Sequence, residues 1–374
     1  MRFFSCVLAI FLYLSSLTYS QDRTFNTVHN GVLGLRTDRS ASLSFGDLDG
    51  DKDLDAVVAN GRHWPQLNEV FINNGRGRFN VAHPMSMERA TSYAAPLADL
   101  DGDGDLDIVV GNDRARNLVF LNDGTGHFSP GEVLADSNVP SRNVTLADLN
   151  DDGKIDIIVT NRGTANVIYF NDGHAGFEAH YNFGTSDDST ISVAVGDLDK
   201  DGFSDLVLAN RDGQPNFAYL NDGKGGFEEA RPFGTGSDET RSVAIADMNG
   251  DEHIDIVAGN IGEPNGVYFG DGLANFDSGV QFGRADGQSY AVAVADLDRD
   301  GHPDIAVGNT GMQNAIFLSD GTGKSFREVP VGGEEEVTYG VALGDVSGDG
   351  YLDIGAANSD GINTIHFNRP VKRE

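Results

Sequence analysis

DLDGDGDLDIVVGN, running from Asp99 to Asn112, puts an acidic side chain at every second position of nine residues and then passes at once into an apolar run. The run is β-branched and closes on Gly-Asn, the composition of a short buried strand that ends in a turn. Nine-residue stretches of the same form begin at Asp47, Asp148, Asp197, Asp247, Asp296 and Asp345, so the unit recurs seven times at intervals of 49 to 52 residues. Thirteen positions after each start stands an asparagine: Asn60, Asn112, Asn161, Asn210, Asn260, Asn309 and Asn358. A second asparagine follows it in every unit, at Asn68, Asn117, Asn166, Asn216, Asn265, Asn314 and Asn363.

Each unit holds four candidate strands, seen most plainly as SVAVGD from Ser192, DLVLAN from Asp205, FAYLN from Phe217 and FEEA from Phe227 to Ala230. No segment carries a 3.6-residue apolar period long enough for a helix. Four short antiparallel strands in a unit of this length form one blade of a β-propeller, because a lone four-stranded sheet leaves both apolar faces bare until neighbours stack on it. The seventh unit stops after its third strand, at Thr364 to Asn368, while Phe25 to His29 resembles the missing fourth. The fold class is therefore all-β, a seven-bladed propeller of four antiparallel strands per blade, with its ring closed by the N-terminal strand.

Arg2, the apolar run Phe3 to Leu14 and the polar residues ending at Ser20 read as a secretory signal over residues 1–20, leaving 21–374 as a single propeller. The apolar run is too short to span hydrocarbon, so secretion without membrane insertion is expected. Cys6, the one cysteine, falls inside the signal, so the mature chain relies on packing or metal and not on disulfides. The formal net charge of -32 sets aside nucleic acid and anionic membranes as partners of the molecule as a whole. A monomer is expected.

Half of the 58 acidic residues lie in the seven nine-residue stretches. Each stretch joins a first strand to a second, and alternate side chains of a tight loop converge on one centre. Converging hard oxygens suit calcium, which takes six to eight of them in flexible geometry, better than magnesium with its strict octahedron. In the second unit the donors are Asp99, Asp101, Asp103 and Asp107, completed by the Asp105 carbonyl and water. The equivalent side chains are Asp47, Asp49, Asp51 and Asp55; Asp148, Asn150, Asp152 and Asp156; Asp197, Asp199, Asp201 and Asp205; Asp247, Asn249, Asp251 and Asp255; Asp296, Asp298, Asp300 and Asp304; and Asp345, Ser347, Asp349 and Asp353. Asx turns without metal would explain one such loop as well, but seven copies favour up to seven calcium ions. Lys52 and Glu252 stand where other loops have glycine at the bend, and Ser347 makes the seventh loop the poorest in donors.

In these loops the chain resembles the FG-GAP/VCBS repeat proteins, whose blades carry DxDxDGxxD calcium loops as in integrin alpha-subunit propellers. The likeness covers about Phe25 to Asn368. It implies calcium on the loop carboxylates and on the seventh-position carbonyl, here Asp53, Asp105, Lys154, Phe203, His253, His302 and Tyr351. Such propellers also serve as fungal lectins and as parts of polysaccharide lyases. Second strands here end in asparagine where the integrin form has Ala-Pro, and an integrin-like heterodimer is not expected.

The opposite face offers different chemistry. One residue into each first strand stand Tyr93, Arg142, Arg241, Tyr290 and Tyr339, placed to ring the mouth of the central channel. The loops between second and third strands add Arg62, His63, Trp64, Arg114, Arg116, Arg162 and Arg211. Arginine with aromatic rings suits acidic sugars through bidentate contacts and stacking. The bland alternative is that these arginines are solvated surface and that the asparagines and hydroxyls satisfy turn backbone. Three functional classes follow: an extracellular module binding glycan or protein, a polysaccharide lyase using arginine with Tyr or His63, and a structural extracellular protein.

Overall fold

A computed structural model describes residues 23–27, 31–135 and 137–371, and among these it contains strands and no helix. The expected signal over residues 1–20, and Val28 and His29 of the predicted closing strand, lie outside the described residues. Among the described residues no helix is long and apolar enough to cross a membrane.

Seven antiparallel sheets follow one another in chain order, each running from an innermost first strand to an outermost fourth. In the fourth blade these are Thr190–Gly196, Asp205–Asn210, Asn216–Leu220 and Glu229–Phe233. The fourth strand thus starts two residues later than its apolar onset suggested. Phe227 belongs instead to the packed turn before it and is buried between blades. In the second blade the first strand is broken into Ser92–Ala94 and Leu97–Ala98, with Pro96 between, a residue that has no amide to give to a ladder.

Every second strand is buried along its whole length, as Asp156–Asn161 illustrates, because it has strands on both sides and a neighbouring blade on each face. The core is accordingly divided. Seven apolar clusters occupy the seven gaps between adjacent blades, one of them joining Leu100, Val109, Ile157 and Phe177 across the second and third. No blade closes its own core, which is why the repeats need one another.

Closure of the ring follows the expected route. Arg23–Asn26 pairs antiparallel with Asn363–Pro370, with Phe25 opposite Asn368, and so supplies the fourth strand of the seventh blade. Phe25 packs with Leu297, Ile316 and Ile354, and buried Arg23 donates from Nε to Asn368 Oδ1 at 2.7 Å. A short strand that sequence patterning does not reveal, Val32–Leu33, adds to the same sheet.

The paired asparagines form a buried relay. Asn161 donates its amide to Asn166 Oδ1 at 2.9 Å and its side-chain nitrogen to the Ala165 carbonyl at 2.9 Å. Asn166 Nδ2 then reaches Thr190 Oγ1 of the next blade at 3.1 Å, and that hydroxyl donates to Asn210 Oδ1 at 2.8 Å. The same links run from Asn68 to Ser92, Asn117 to Ser141, Asn216 to Thr240 and Asn314 to Thr338. For these residues the bland reading holds: they satisfy backbone and staple blades together.

His366, on the third strand of the seventh blade, is fully buried between the hydroxyls of Thr27 at 2.7 Å and Thr364 at 3.1 Å. Burial pushes its pKa down to about 4. Because the unfolded chain gains a proton near pH 6.5 that the folded chain refuses, this residue adds stability above that pH and loses it as pH falls toward 4. Denaturant titrations at pH 8 and pH 5 are expected to differ by about 2 kcal/mol from this source. A His366→Gln variant is expected to lack that component; parallel pH profiles for the two proteins would refute it.

Candidate functional site

The acidic loops all adopt one backbone form. Positions four and six are left-handed throughout, at Gly102 (φ 82) and Gly104 (φ 97) in the second loop. Lys52 (φ 75) and Glu252 (φ 67) take the same conformation at position six, as do Asp151, Lys200 and Arg299 at position four, where sequence reading did not look for it. Side-chain bearing residues held at such angles are strained and persist only where surroundings demand them.

Within each loop the carboxylates gather backbone amides. Asp99 accepts from Gly102 and Gly104 at 2.8 and 3.0 Å, Asp101 from Asp103 at 3.2 Å, and Asp103 from Asp105 at 3.0 Å. The seventh residue gives its amide to the fifth-position carboxylate in every loop, including Asp53, Lys154, Phe203, His253, His302 and Tyr351. Position two carries an apolar plug into the gap between blades: Leu48, Leu100, Leu149, Leu198, Met248, Leu297 and Val346 are all buried.

The ninth-position aspartates sit deepest. Asp107 Oδ2 accepts the Leu100 amide and Oδ1 the Asn122 amide, both at 2.9 Å, and Asn122 in turn donates to the Leu48 carbonyl of the preceding blade at 2.9 Å. Burial outweighs these bonds and raises the carboxyl of Asp55, Asp107, Asp156, Asp205, Asp255 and Asp353 to about 6, and that of Asp304 to about 7. Burial also raises Asp49, Asp101, Asp199 and Asp300, reinforced by neighbouring carboxylates such as Asp51 and Asp103. Charge crowded in this way suits a cation.

Four loops bring three carboxylates into one cluster: Asp47, Asp49 and Asp55; Asp99, Asp101 and Asp107; Asp197, Asp199 and Asp205; and Asp296, Asp298 and Asp300. In each, ligand oxygens lie within 4.8 Å of one another, so these clusters could hold a metal ion. The other three loops carry Asn150, Asn249 or Ser347 at position three and so present fewer charges. In the seventh loop the chain brings its own cation, since Arg369 pairs with Asp349 and lies 3.4 Å from Ser347 Oγ. Tyr351 of that loop is flanked by the guanidinium carbons of Arg23 at 3.7 Å and Arg299 at 4.3 Å from its ring centre.

On the opposite face, the first strand of every blade carries a register shift across its second residue, as between Ser141 and Asn143 or Thr240 and Ser242. A bulged residue leaves the ladder and its side chain is re-aimed. The positions so released are Ala41, Tyr93, Arg142, Ile191, Arg241, Tyr290 and Tyr339. Six of them, Ala41, Tyr93, Arg142, Arg241, Tyr290 and Tyr339, line one central cavity of about 130 Å³. Tyr290 and Tyr339 meet edge to face at 4.6 Å, and the Arg241 and Arg142 guanidinium carbons lie 5.7 and 4.7 Å from the ring centres of Tyr290 and Tyr93.

The loop residues divide. Arg62, which sequence reading left outside the channel group, stacks over Tyr339 at 3.7 Å because the long first-blade loop reaches across to the seventh blade. His63 Nδ1 lies 3.4 Å from the Tyr93 hydroxyl. Burial, with Arg62 and Arg142 nearby, lowers the His63 pKa. Trp64 is 64% exposed, away from the cavity. Arg114 is exposed; Arg162 is held by Asp212 at 2.7 Å, Arg211 by Glu239 at 3.5 Å, and Arg142 by Asp113 at 2.9 Å.

A family model described as an FG-GAP-like repeat matches residues 47–110, 99–159, 148–208, 197–258, 247–307 and 296–356. No curated protein matches the chain significantly. Among solved structures, BBS1N in complex with ARL6DN superposes with a TM-score of 0.64 at 12% identity, covering 93% of this chain and 98% of that one. An Agrocybe aegerita lectin that recognises non-reducing terminal N-acetylglucosamine does so with a TM-score of 0.58 at 20% identity, covering 87% of each chain. YCF48 from Cyanidioschyzon merolae gives 0.59 at 12% identity, over 90% of this chain and 97% of that one. Identities this low speak for the fold alone.

Proposed function

The chain belongs to the FG-GAP-like repeat family, and from that premise we propose that it is a secreted calcium-binding propeller that recognises an extracellular glycan or protein at the channel mouth opposite its acidic loops. The observation that carries this reading is the set of bulges, which delivers arginine and tyrosine to one cavity on a molecule whose net charge is -32. A basic, aromatic mouth on an acidic body is a recognition surface by charge and by shape. Exposed Trp64 on the same face extends it. The lectin and the BBS1N complex give this fold precedents for sugar and for protein ligands.

Calcium is the ion that the donor set supports, since every candidate ligand is a hard oxygen and the loops supply several each. The four three-carboxylate loops load most tightly, the Asn150 and Asn249 loops more weakly, and Arg369 takes the place of the ion in the seventh. Calcium here is structural: it neutralises the loops and leaves recognition to the other face.

Glycan-array and solid-phase binding assays of the full secreted chain with calcium are expected to yield a saturable ligand whose binding weakens on Tyr290→Ala and Tyr339→Ala. A blank array together with no saturable binding to extracellular matrix proteins would overturn the reading. The contact between His63 and Tyr93, beside Arg142, favours one second reading, a lyase in which arginine neutralises a uronate carboxylate and His63 or Tyr93 takes the proton. Appearance of unsaturated uronate from acidic polysaccharides, lost on His63→Ala, checks it.

A further inference from the structure

Resting on the binding role above, the geometry points to the ligand's chemistry: Arg241 anchors the terminal acidic group of a glycan, a carboxylate or sulfate ester, against the channel tyrosines. Among the described residues, the Arg241 side chain has no hydrogen-bond or ion-pair partner; its close neighbour is the Tyr290 ring. That isolation sets it apart from Arg142 and Arg211 on the same face, which have carboxylate partners at 2.9 and 3.5 Å. Acidic residues outnumber basic ones 58 to 26, and Arg36, Arg39, Arg142, Arg162, Arg211 and Arg284 each have a carboxylate within 3.5 Å.

An unpaired guanidinium set into a cavity wall costs stability. Burial and the charge of Arg211 lower its pKa to about 10, which still leaves it cationic at neutral pH. A second unpaired cation sits at the rim: Arg62 stacks on Tyr339, and its Nε is buried without a partner. Two arginines at one mouth, met by no carboxylate among the described residues, are placed to take an anion from solution. Arginine's planar fork matches an oxyanion in bidentate fashion.

The cavity's size and walls narrow the anion's carrier. A volume of about 130 Å³ holds one small group and falls well below the pockets that enclose whole drug-sized ligands. The anchored group is therefore a terminus, with the remainder of the ligand lying outside along the face. Tyr290 and Tyr339 add ring edges and hydroxyls beside the arginines that lie over their faces, groups against which a sugar packs and hydrogen-bonds at low entropic cost. A second cavity of about 460 Å³ between the fifth and sixth blades, lined by Arg284, Ser289 and Gln313 among others, lies on the same side and gives the outer part of a ligand room.

The test titrates the calcium-loaded chain with D-glucuronate, D-glucose 6-sulfate, D-glucose, inorganic sulfate and a short polyglutamate peptide, by calorimetry and tyrosine fluorescence. Glucuronate or the sugar sulfate is expected to bind at least tenfold more tightly than glucose and than inorganic sulfate. Arg241→Gln is expected to lose at least tenfold of that affinity while its melting temperature stays level or rises, which a merely structural arginine would not allow. Arg241→Lys is expected to fall between. Should Arg241→Gln fail to fold, competition of high sulfate against glucuronate on the unaltered chain decides the same point. Equal binding of glucose and glucuronate, or full affinity in Arg241→Gln, overturns the inference while leaving a binding module in place. Preference for the peptide, or for inorganic sulfate over either acidic sugar, overturns the glycan assignment. Absence of binding by every probe overturns the inference, and joined to a blank array and no matrix-protein binding it overturns the binding role itself.

Discussion

Stripping divalent ions from the calcium-loaded protein is expected to lower its unfolding temperature by about 14 °C. At free calcium about a hundred times the dissociation constant, one site contributes about 2.7 kcal/mol, so the four three-carboxylate loops contribute about 11 kcal/mol. A chain of 374 residues unfolds with an entropy of about 0.8 kcal/mol/K, which converts that sum to the stated shift. The physical source is the charge crowding seen at Asp99, Asp101 and Asp107, where burial raises the carboxyls of Asp101 and Asp107 and, among the described residues, no basic side chain pairs with the three. Metal analysis of the same material is expected to find at least four ions per chain and fewer than seven, the shortfall lying in the loop served by Arg369. A melting curve that moves by less than about 2 °C in chelator would remove the structural role of calcium.

Removing residues 21–30 is expected to cost about 7 kcal/mol, or about 9 °C, and to make the protein self-associate. Loss of buried Phe25 alone is worth about 3 to 5 kcal/mol, and the ladder from Arg23–Asn26 to Asn363–Pro370 adds about 1 kcal/mol per hydrogen bond. The strand that remains presents unpaired amides and carbonyls along Asn363–Pro370, a template for another chain. Phe25→Ala, which keeps the strand and empties its core contact, is expected to melt lower and stay monomeric. If the truncated chain melts within about 2 °C of the full one and elutes as a monomer, velcro closure by the N-terminal strand is not what holds the ring.

The loops were legible because their information is local. Nine residues with acid at alternate positions carry both the donors and the turn, and the interval between copies counts the blades. Even the closing strand showed itself, since Phe25 to His29 repeats the pattern of a fourth strand. Features that depend on a partner were not legible. Position four of the loops gave no warning that Asp151, Lys200 and Arg299 would be left-handed. Arg162 and Arg211 read as free cations until Asp212 and Glu239 met them across separate loops. Arg62 joined the channel only because the first blade sits beside the seventh.

What the chain's order of residues determined by itself was the blade, the number of blades, the acidic cages and the residues able to close the ring, because turn chemistry and apolar alternation act within about ten positions. What only the tertiary structure decided was the channel mouth. A bulge exists between two paired strands, and a cavity exists among seven of them. The choice of Arg241 as a cation without a partner among the described residues is therefore a property of the assembled ring, where side chains some fifty residues apart in sequence share one small space and Asp113 and Glu239 are held by Arg142 and Arg211.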